Sequence, residues 1–181
     1  AQYYEQLFSD GVKALGLNGL ALSSTETQIL YLDFDGAKLR KGYARGESFI
    51  LCAREASIPA SGYSPNEQDQ IVTMVQNYYD DSASDVIVSN QVPENGDYTT
   101  IIVGGTYRDL GCLGGNGILG VAPLDRGNNN PNDIGFAFVS GGQSVFLAAT
   151  TIAHEAGHSF GLDHISNNSA IMNPSHARGI T

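Results

Sequence analysis

Three histidines within a short stretch form the pattern with the clearest chemical meaning in this sequence. Residues 154–164 read His-Glu-Ala-Gly-His-Ser-Phe-Gly-Leu-Asp-His. His154 and His158 are four residues apart, so on a helix both imidazoles project from one face, where they can share a zinc ion. Glu155 lies one position further around such a helix, beside the metal, where its carboxylate can act as a general base. The alternative is an ordinary helix that carries two surface histidines.

A third histidine, His164, follows six residues after His158. A helix that continued through this stretch would carry His164 about 9 Å along the axis and onto another face. Gly161 offers a solution, because glycine can adopt positive φ, end the helix and turn the chain back. His154, His158 and His164 would then bind zinc together and leave its fourth position open, which is typical of catalytic sites.

The surrounding segments predict the elements that position these residues. A helix should begin near Ser144 and carry the first two histidines. An earlier helix should run from Ser64, which has the signature of a capping box with proline at the first helical position, to about Tyr79. Apolar, β-prone runs predict strands at 28–33, 85–89, 99–103, 117–122 and 134–139. The order predicts an α+β fold, in which a twisted mixed five-stranded sheet is backed by two helices.

Met172 follows His164 by eight residues, within the run Ala-Ile-Met-Asn-Pro at 170–174. A lone methionine more often fills an irregular gap in a core. The extended histidine pattern and this methionine together resemble the metzincins, zinc peptidases with a Met-turn beneath the metal ligands. The runs at 161–164 and 170–174 are most similar to the matrixin branch, which contains the matrix metalloproteinases and their bacterial relatives.

The resemblance implies a role for each residue of the pattern. Three histidines would be the zinc ligands: His154, His158 and His164. Glu155 would be the base, and Met172 would form the Met-turn. The segment 117–122 would be an edge strand that pairs with the extended backbone of a protein or peptide substrate.

The resemblance and the absence of repeats or linkers predict one catalytic domain over residues 1–181. Its upper subdomain would span about 26–160, and a short lower subdomain would follow the zinc-binding helix at about 161–181. Residues 1–25 are an N-terminal segment whose structure the sequence does not predict.

A polar run at 125–133, from Asp125 to Asp133, is rich in asparagine, aspartate and glycine. These are turn residues, so a solvated loop is one interpretation. Their side-chain oxygens also suit calcium, and matrixins often carry structural calcium in this region. Both interpretations stay open, with Asp125 and Asp133 as the candidate calcium ligands.

Acidic residues outnumber basic ones by 19 to 9, and the formal net charge is −10. Nucleic acids and anionic membranes would repel such a surface, so neither is an expected partner. No apolar run approaches the length of a membrane span. The chain opens at Ala1 without an initiator methionine or a signal-like segment, and we expect a processed, secreted protein that acts as a monomer.

Two cysteines, Cys52 and Cys112, permit one disulfide. Export would favour the bridge. Two buried free thiols are the alternative, and a thiolate that blocks the metal in a latent form is a third.

These observations predict a secreted zinc endopeptidase. One alternative is a zinc hydrolase that acts on a non-protein amide or ester. Another is a non-catalytic binding module with a vestigial site, although the intact Glu155 argues against it.

Overall fold

The computed structural model describes residues 27–80, 85–167 and 170–174 of the 181-residue chain. The described strands are β1 (Gln28–Asp33), β2 (Ala37–Arg40), β3 (Glu55–Ile58), β4 (Val86–Ser89), β5 (Thr99–Val103), β6 (Gly120–Val121) and β7 (Ile134–Ala137). The α-helices are α1 (Pro65–Asp80) and α2 (Val145–Ser159). The N-terminal segment 1–25 and the end of the lower subdomain lie outside the described residues, and the subdomain boundaries stay predictions.

The main sheet has the strand order β4-β1-β5-β7-β6. The first four strands are parallel, and β6 runs antiparallel to β7 at one end of the sheet. This arrangement confirms the predicted α+β fold with a mixed five-stranded sheet and two helices. The strand predicted at 117–122 is shorter than expected, because Gly115 and Gly117 have positive φ and the Ile118 N–H donates to Gly115 O in a turn.

Both helices begin at side-chain caps that the sequence makes available. Ser64 and Glu67 form the predicted capping box, with the Ser64 N–H donating to Glu67 Oε2 at 2.8 Å. Ser144 caps α2, because its Oγ accepts the Leu147 N–H at 3.1 Å. The two helices contact each other and share one apolar core with the sheet. Its fully buried members include Leu30, Ile71, Val75, Ile101 and Ile152.

A two-stranded sheet, which the sequence analysis did not predict, covers the face of the main sheet opposite the two helices. β2 and β3 pair antiparallel, from Ala37 opposite Ile58 to Arg40 opposite Glu55. Both strands alternate between apolar and polar residues, but only over four positions each, which is the shortest run that indicates a strand. They help to close a second apolar cluster around Phe136, together with a 3₁₀ turn at Tyr107–Leu110.

Cys52 and Cys112 are joined by a disulfide, with their Cα atoms 5.0 Å apart. The prediction of a bridge is therefore confirmed, and the two alternatives with free cysteines are wrong. Cys52 is exposed, whereas Cys112 is buried. The bridge ties the segment before β3 to the segment that leads into β6.

Among the described residues, none of the helices has the length and apolar character needed to cross a membrane.

Candidate metal centre and active-site cleft

The helix α2 carries two histidines, of which His154 is buried and His158 is partly exposed. Nearly every residue from Ala148 to Ser159 is buried, because the helix is packed against the sheet on one side and the C-terminal segment on the other. His154 is 2% exposed and Glu155 is 3% exposed. The side chains of His154 and Glu155 are therefore fixed by the packing of the helix itself.

The helix ends in a turn that redirects the chain at Gly161, which has φ 90°. The Gly161 N–H donates to His158 O at 2.9 Å, and the Leu162 N–H donates to Gly157 O at 2.8 Å. This pair of bonds is the Schellman arrangement, which satisfies carbonyls left free at a helix end. The turn brings His164 back beside the helix.

The three histidine rings converge. Nε2 of His164 lies 3.1 Å from Nε2 of His154 and 3.1 Å from Nε2 of His158. The ligand atoms of the three histidines all lie within 4.8 Å of one another, so they could hold one metal ion. In the described part of the chain, this is the group of histidine, cysteine or acidic side chains with that property.

Backbone carbonyls orient two of the rings. His154 Nδ1–H donates to Ile171 O at 2.7 Å, and His158 Nδ1–H donates to Leu162 O at 2.8 Å. A carbonyl can only accept, so each neutral ring carries its proton on Nδ1 and presents the Nε2 lone pair to the centre of the cluster. Lone pairs that face one another at this distance fit a shared cation, and imidazole nitrogens suit zinc.

The environment of His158 favours the neutral ring that metal binding requires. Burial lowers the pKa of His158, and the neighbouring His164 lowers it further, although the bond to Leu162 O opposes these effects. Neutral imidazole is the form that donates a lone pair to a metal.

Glu155 lies between the histidine cluster and the edge strand. Burial raises the pKa of Glu155 from 4.5 to about 8 in the metal-free protein. Its side chain runs against the backbone of β6, since a Cβ at Gly120 would lie 2.5 Å from both Cγ and Oε1 of Glu155. A nearby cation would favour the ionised form of this carboxyl group and lower its pKa.

These residues line an open cleft of about 310 Å³. One wall is formed by residues 117–122, which include β6, and the other residues of the lining are His154, Glu155, His158, His164 and Pro174. The structure thus brings the predicted edge strand, ligands and base to one place.

Met172 packs beneath α2 and is 1% exposed. A Cβ at Gly157 would lie only 2.5 Å from Met172 Sδ, so the helix and the methionine approach closely because residue 157 is glycine. The Ile165 N–H also donates to Met172 O at 3.1 Å. The methionine segment therefore supports both the helix and the turn that bears His164.

The two candidate calcium ligands, Asp125 and Asp133, lie on one loop. Among the described residues, they do not belong to a group of three or more side chains placed to hold a metal ion. Asp125 Oδ2 accepts the Asn130 N–H, and Asp133 Oδ1 accepts an N–H from the Asn130 amide, each at 2.6 Å. Asp133 Oδ2 is buried without a hydrogen-bond partner, and so is Ser48 Oγ. Both residues line a cavity of about 130 Å³ below the β2–β3 connection. Burial raises the pKa of Asp133 to about 6.

The sheet, the glycine-ended helix with its converging histidines, and the methionine beneath them are the features of a metzincin-type metallopeptidase domain. The sequence model of the matrixin family of peptidases matches residues 61–179, which is more than half of the chain. The chain belongs to the matrixin family. The matched range includes both helices and every residue of the histidine cluster, but not β1, β2, β3 or Cys52. No curated protein and no solved structure was found to match the chain.

Proposed function

We propose that this chain is a secreted zinc-dependent endopeptidase that hydrolyses peptide bonds. The observation that carries the proposal is the convergence of three Nε2 atoms beside the buried carboxyl group of Glu155, in a cleft bounded by a strand at the end of the sheet. Membership of the matrixin family supports the same reaction class.

Each residue of the site has a distinct task in this proposal. His154, His158 and His164 would hold zinc through Nε2. Zinc, when bound, lowers the pKa of a coordinated water and polarises the scissile carbonyl group. The Nδ1–H bonds to backbone carbonyls keep the rings of His154 and His158 in the ligating tautomer. Glu155 accepts the proton of the attacking water on its carboxylate and delivers it to the leaving amine nitrogen.

The position of β6 favours a peptide substrate. β6 pairs with β7 on one side and ends the described sheet on the other, and the segment 117–122 forms a wall of the cleft. An extended peptide can add to such an edge through main-chain hydrogen bonds, which would place its carbonyl groups along the histidine cluster. A small amide or ester would make no use of this edge.

The proposal is tested by metal analysis and by cleavage of casein and a peptide library with the wild-type chain. We expect about one zinc per chain and chelator-sensitive cleavage. Glu155→Gln should retain zinc and lose at least ~10²-fold in kcat, because the amide cannot accept the proton. Glu94→Gln, which removes the same charge from an exposed residue, is the matched control and should cleave normally.

Each rival function predicts a different result. A zinc hydrolase of non-protein substrates would bind zinc but leave casein and every library peptide intact. A vestigial binding module would show no chelator-sensitive hydrolysis at all. Wild-type cleavage by Glu155→Gln would remove Glu155 from the mechanism.

Calcium is proposed as a structural cofactor at Asp133. The buried Oδ2 atom without a partner supports this, because a buried carboxylate is costly unless a cation or a donor compensates it. Calcium should then raise the unfolding temperature of wild type, and Asp133→Asn should remove the effect. Asp69→Asn on the exposed face of α1 is the control and should respond to calcium as wild type does.

Secretion and a monomeric state complete the proposal. The disulfide supports an oxidising compartment, since such bridges rarely persist in the cytosol. The expected results are protein in the culture medium of the producing cells and a mass of one chain in light scattering. Recovery only from the cell lysate with both thiols free would contradict the first part.

A further inference from the structure

The loop at residues 125–130, named here the brace loop, lies against the turn that carries the third histidine. The Asp125 N–H donates to His158 O at 3.1 Å. A Cβ at Gly161 would lie 2.8 Å from Asp125 O and 3.1 Å from Gly127 N, so the turn and the brace loop are in direct backbone contact.

An ion pair then reaches from the brace loop to the residue next to His164. Arg126 Nε donates to Asp163 Oδ2 at 3.1 Å, and Arg126 Nη2 donates to Asp163 Oδ1 at 2.8 Å. Two parallel bonds from one guanidinium fix the orientation of a carboxylate as well as its distance.

The brace loop is itself anchored. The Asn130 N–H donates to Asp125 Oδ2 at 2.6 Å, and the Asn129 amide donates to Arg126 O at 3.0 Å. The side-chain amides of Asn128 and Gln28 exchange two hydrogen bonds, and Gln28 is buried on β1. A path of polar contacts therefore connects the sheet to the backbone beside the third histidine.

We propose that Arg126 is a positioning residue, which holds His164 in place for zinc through Asp163. His154 and His158 are fixed by a buried helix, whereas His164 lies beyond the helix end in an exposed turn. The ligand that the helix does not fix is thus restrained by the brace loop. This inference rests on the proposed zinc site.

The expected loss of zinc affinity depends on how exposed the Arg126–Asp163 ion pair is. The side chains of Arg126 and Asp163 are 71% and 57% exposed, so solvent and salt screen their attraction. Exposed pairs of this kind change an equilibrium by about two- to fivefold. Arg126→Ala should weaken zinc binding by that factor at low ionic strength, and the difference should shrink at high salt.

The experiment measures zinc affinity of the full chain by competition with a chelating dye. Arg40→Ala is the matched control, because Arg40 pairs with Glu55 at similar exposure, 76% and 71%, and lies on β2 away from the histidines. We expect Arg40→Ala to bind zinc as wild type does and Arg126→Lys to fall between wild type and Arg126→Ala. The zinc-free forms of the two alanine variants should unfold at similar temperatures.

A second background shows whether Arg126 acts through His164. In His164→Ala, the further change Arg126→Ala should leave zinc affinity unaltered. Equal affinities for Arg126→Ala and Arg40→Ala would overturn the proposal, and so would the same loss in both backgrounds. A wild-type chain that takes up no zinc would defeat the proposed function, and the positioning role with it.

Discussion

Gly161→Ala is the substitution for which the structure allows the most detailed expectation. Residue 161 has φ 90°, and the added methyl group would lie 2.8 Å from Asp125 O. Positive φ costs an alanine about 1–2 kcal/mol, and an overpacked contact adds about 1–3 kcal/mol. The free energy of unfolding should therefore fall by about 2–5 kcal/mol, with about 2–4 °C lost from the unfolding temperature per kcal/mol.

Gly46→Ala separates the two contributions. Gly46 has φ 78°, but a Cβ there would meet no atom within 4 Å. This control should lose only the conformational part, about 1–2 kcal/mol, and should keep wild-type zinc affinity. Gly161→Ala should also bind zinc more weakly, by about tenfold for each 1.4 kcal/mol by which the displaced turn disfavours the bound state. Thermal unfolding and zinc competition measure both effects. Equal losses in the two variants would refute the claim that the turn is held against the brace loop.

Three other perturbations test separate parts of the structure. In the zinc-free protein, Glu155 has its pKa raised from 4.5 to about 8, so the folded state binds more protons than the unfolded state in that window. The free energy of unfolding should fall as pH rises from about 4.5 to about 8, and urea denaturation should find a smaller fall in Glu155→Gln, where other groups such as Asp133 still contribute. Replacing Cys52 and Cys112 by serine opens a loop with a sequence separation of 60 and should cost about 4 kcal/mol; an unchanged urea midpoint would contradict this. Gly157→Ala should lower zinc affinity without loss of helical circular dichroism, because its methyl group would displace Met172; full affinity would show that the contact is unimportant.

The parts of the fold that the sequence predicted are those with strong local signals. Ser64 and Glu67 form a capping box within one turn, and α1 begins at the predicted proline. β1 is a short run of consecutive apolar, β-prone residues between Gln28 and Asp33, and its predicted bounds are those observed. The strands β2 and β3 have an alternating pattern over only four residues each, and their pairing depends on an apolar cluster assembled from distant segments.

The candidate site also contains residues that the sequence predicted and residues that it did not. Residue types and spacing within 154–164 predict which side chains could bind a metal, because a helix and a glycine turn relate them locally. Arg126 and Ser48 have no such relation to the motif. Arg126 meets Asp163 across 37 residues of sequence, and Ser48 lines the cavity beside Asp133 from the β2–β3 connection. Only the folded chain reveals these contacts.

The strength of zinc binding at the proposed site depends on how the third histidine is held. A helix presents two ligands with little freedom, so the third ligand decides how much ordering must accompany metal binding. Here the turn bearing His164 is restrained by Met172 O on one side and by the brace loop on the other. Because the brace loop lies outside the histidine motif, a chain with the same motif and a different loop at 125–130 could hold zinc less tightly. In this proposal the rigidity of the metal centre depends on the connection from the sheet to the turn as well as on the histidine motif.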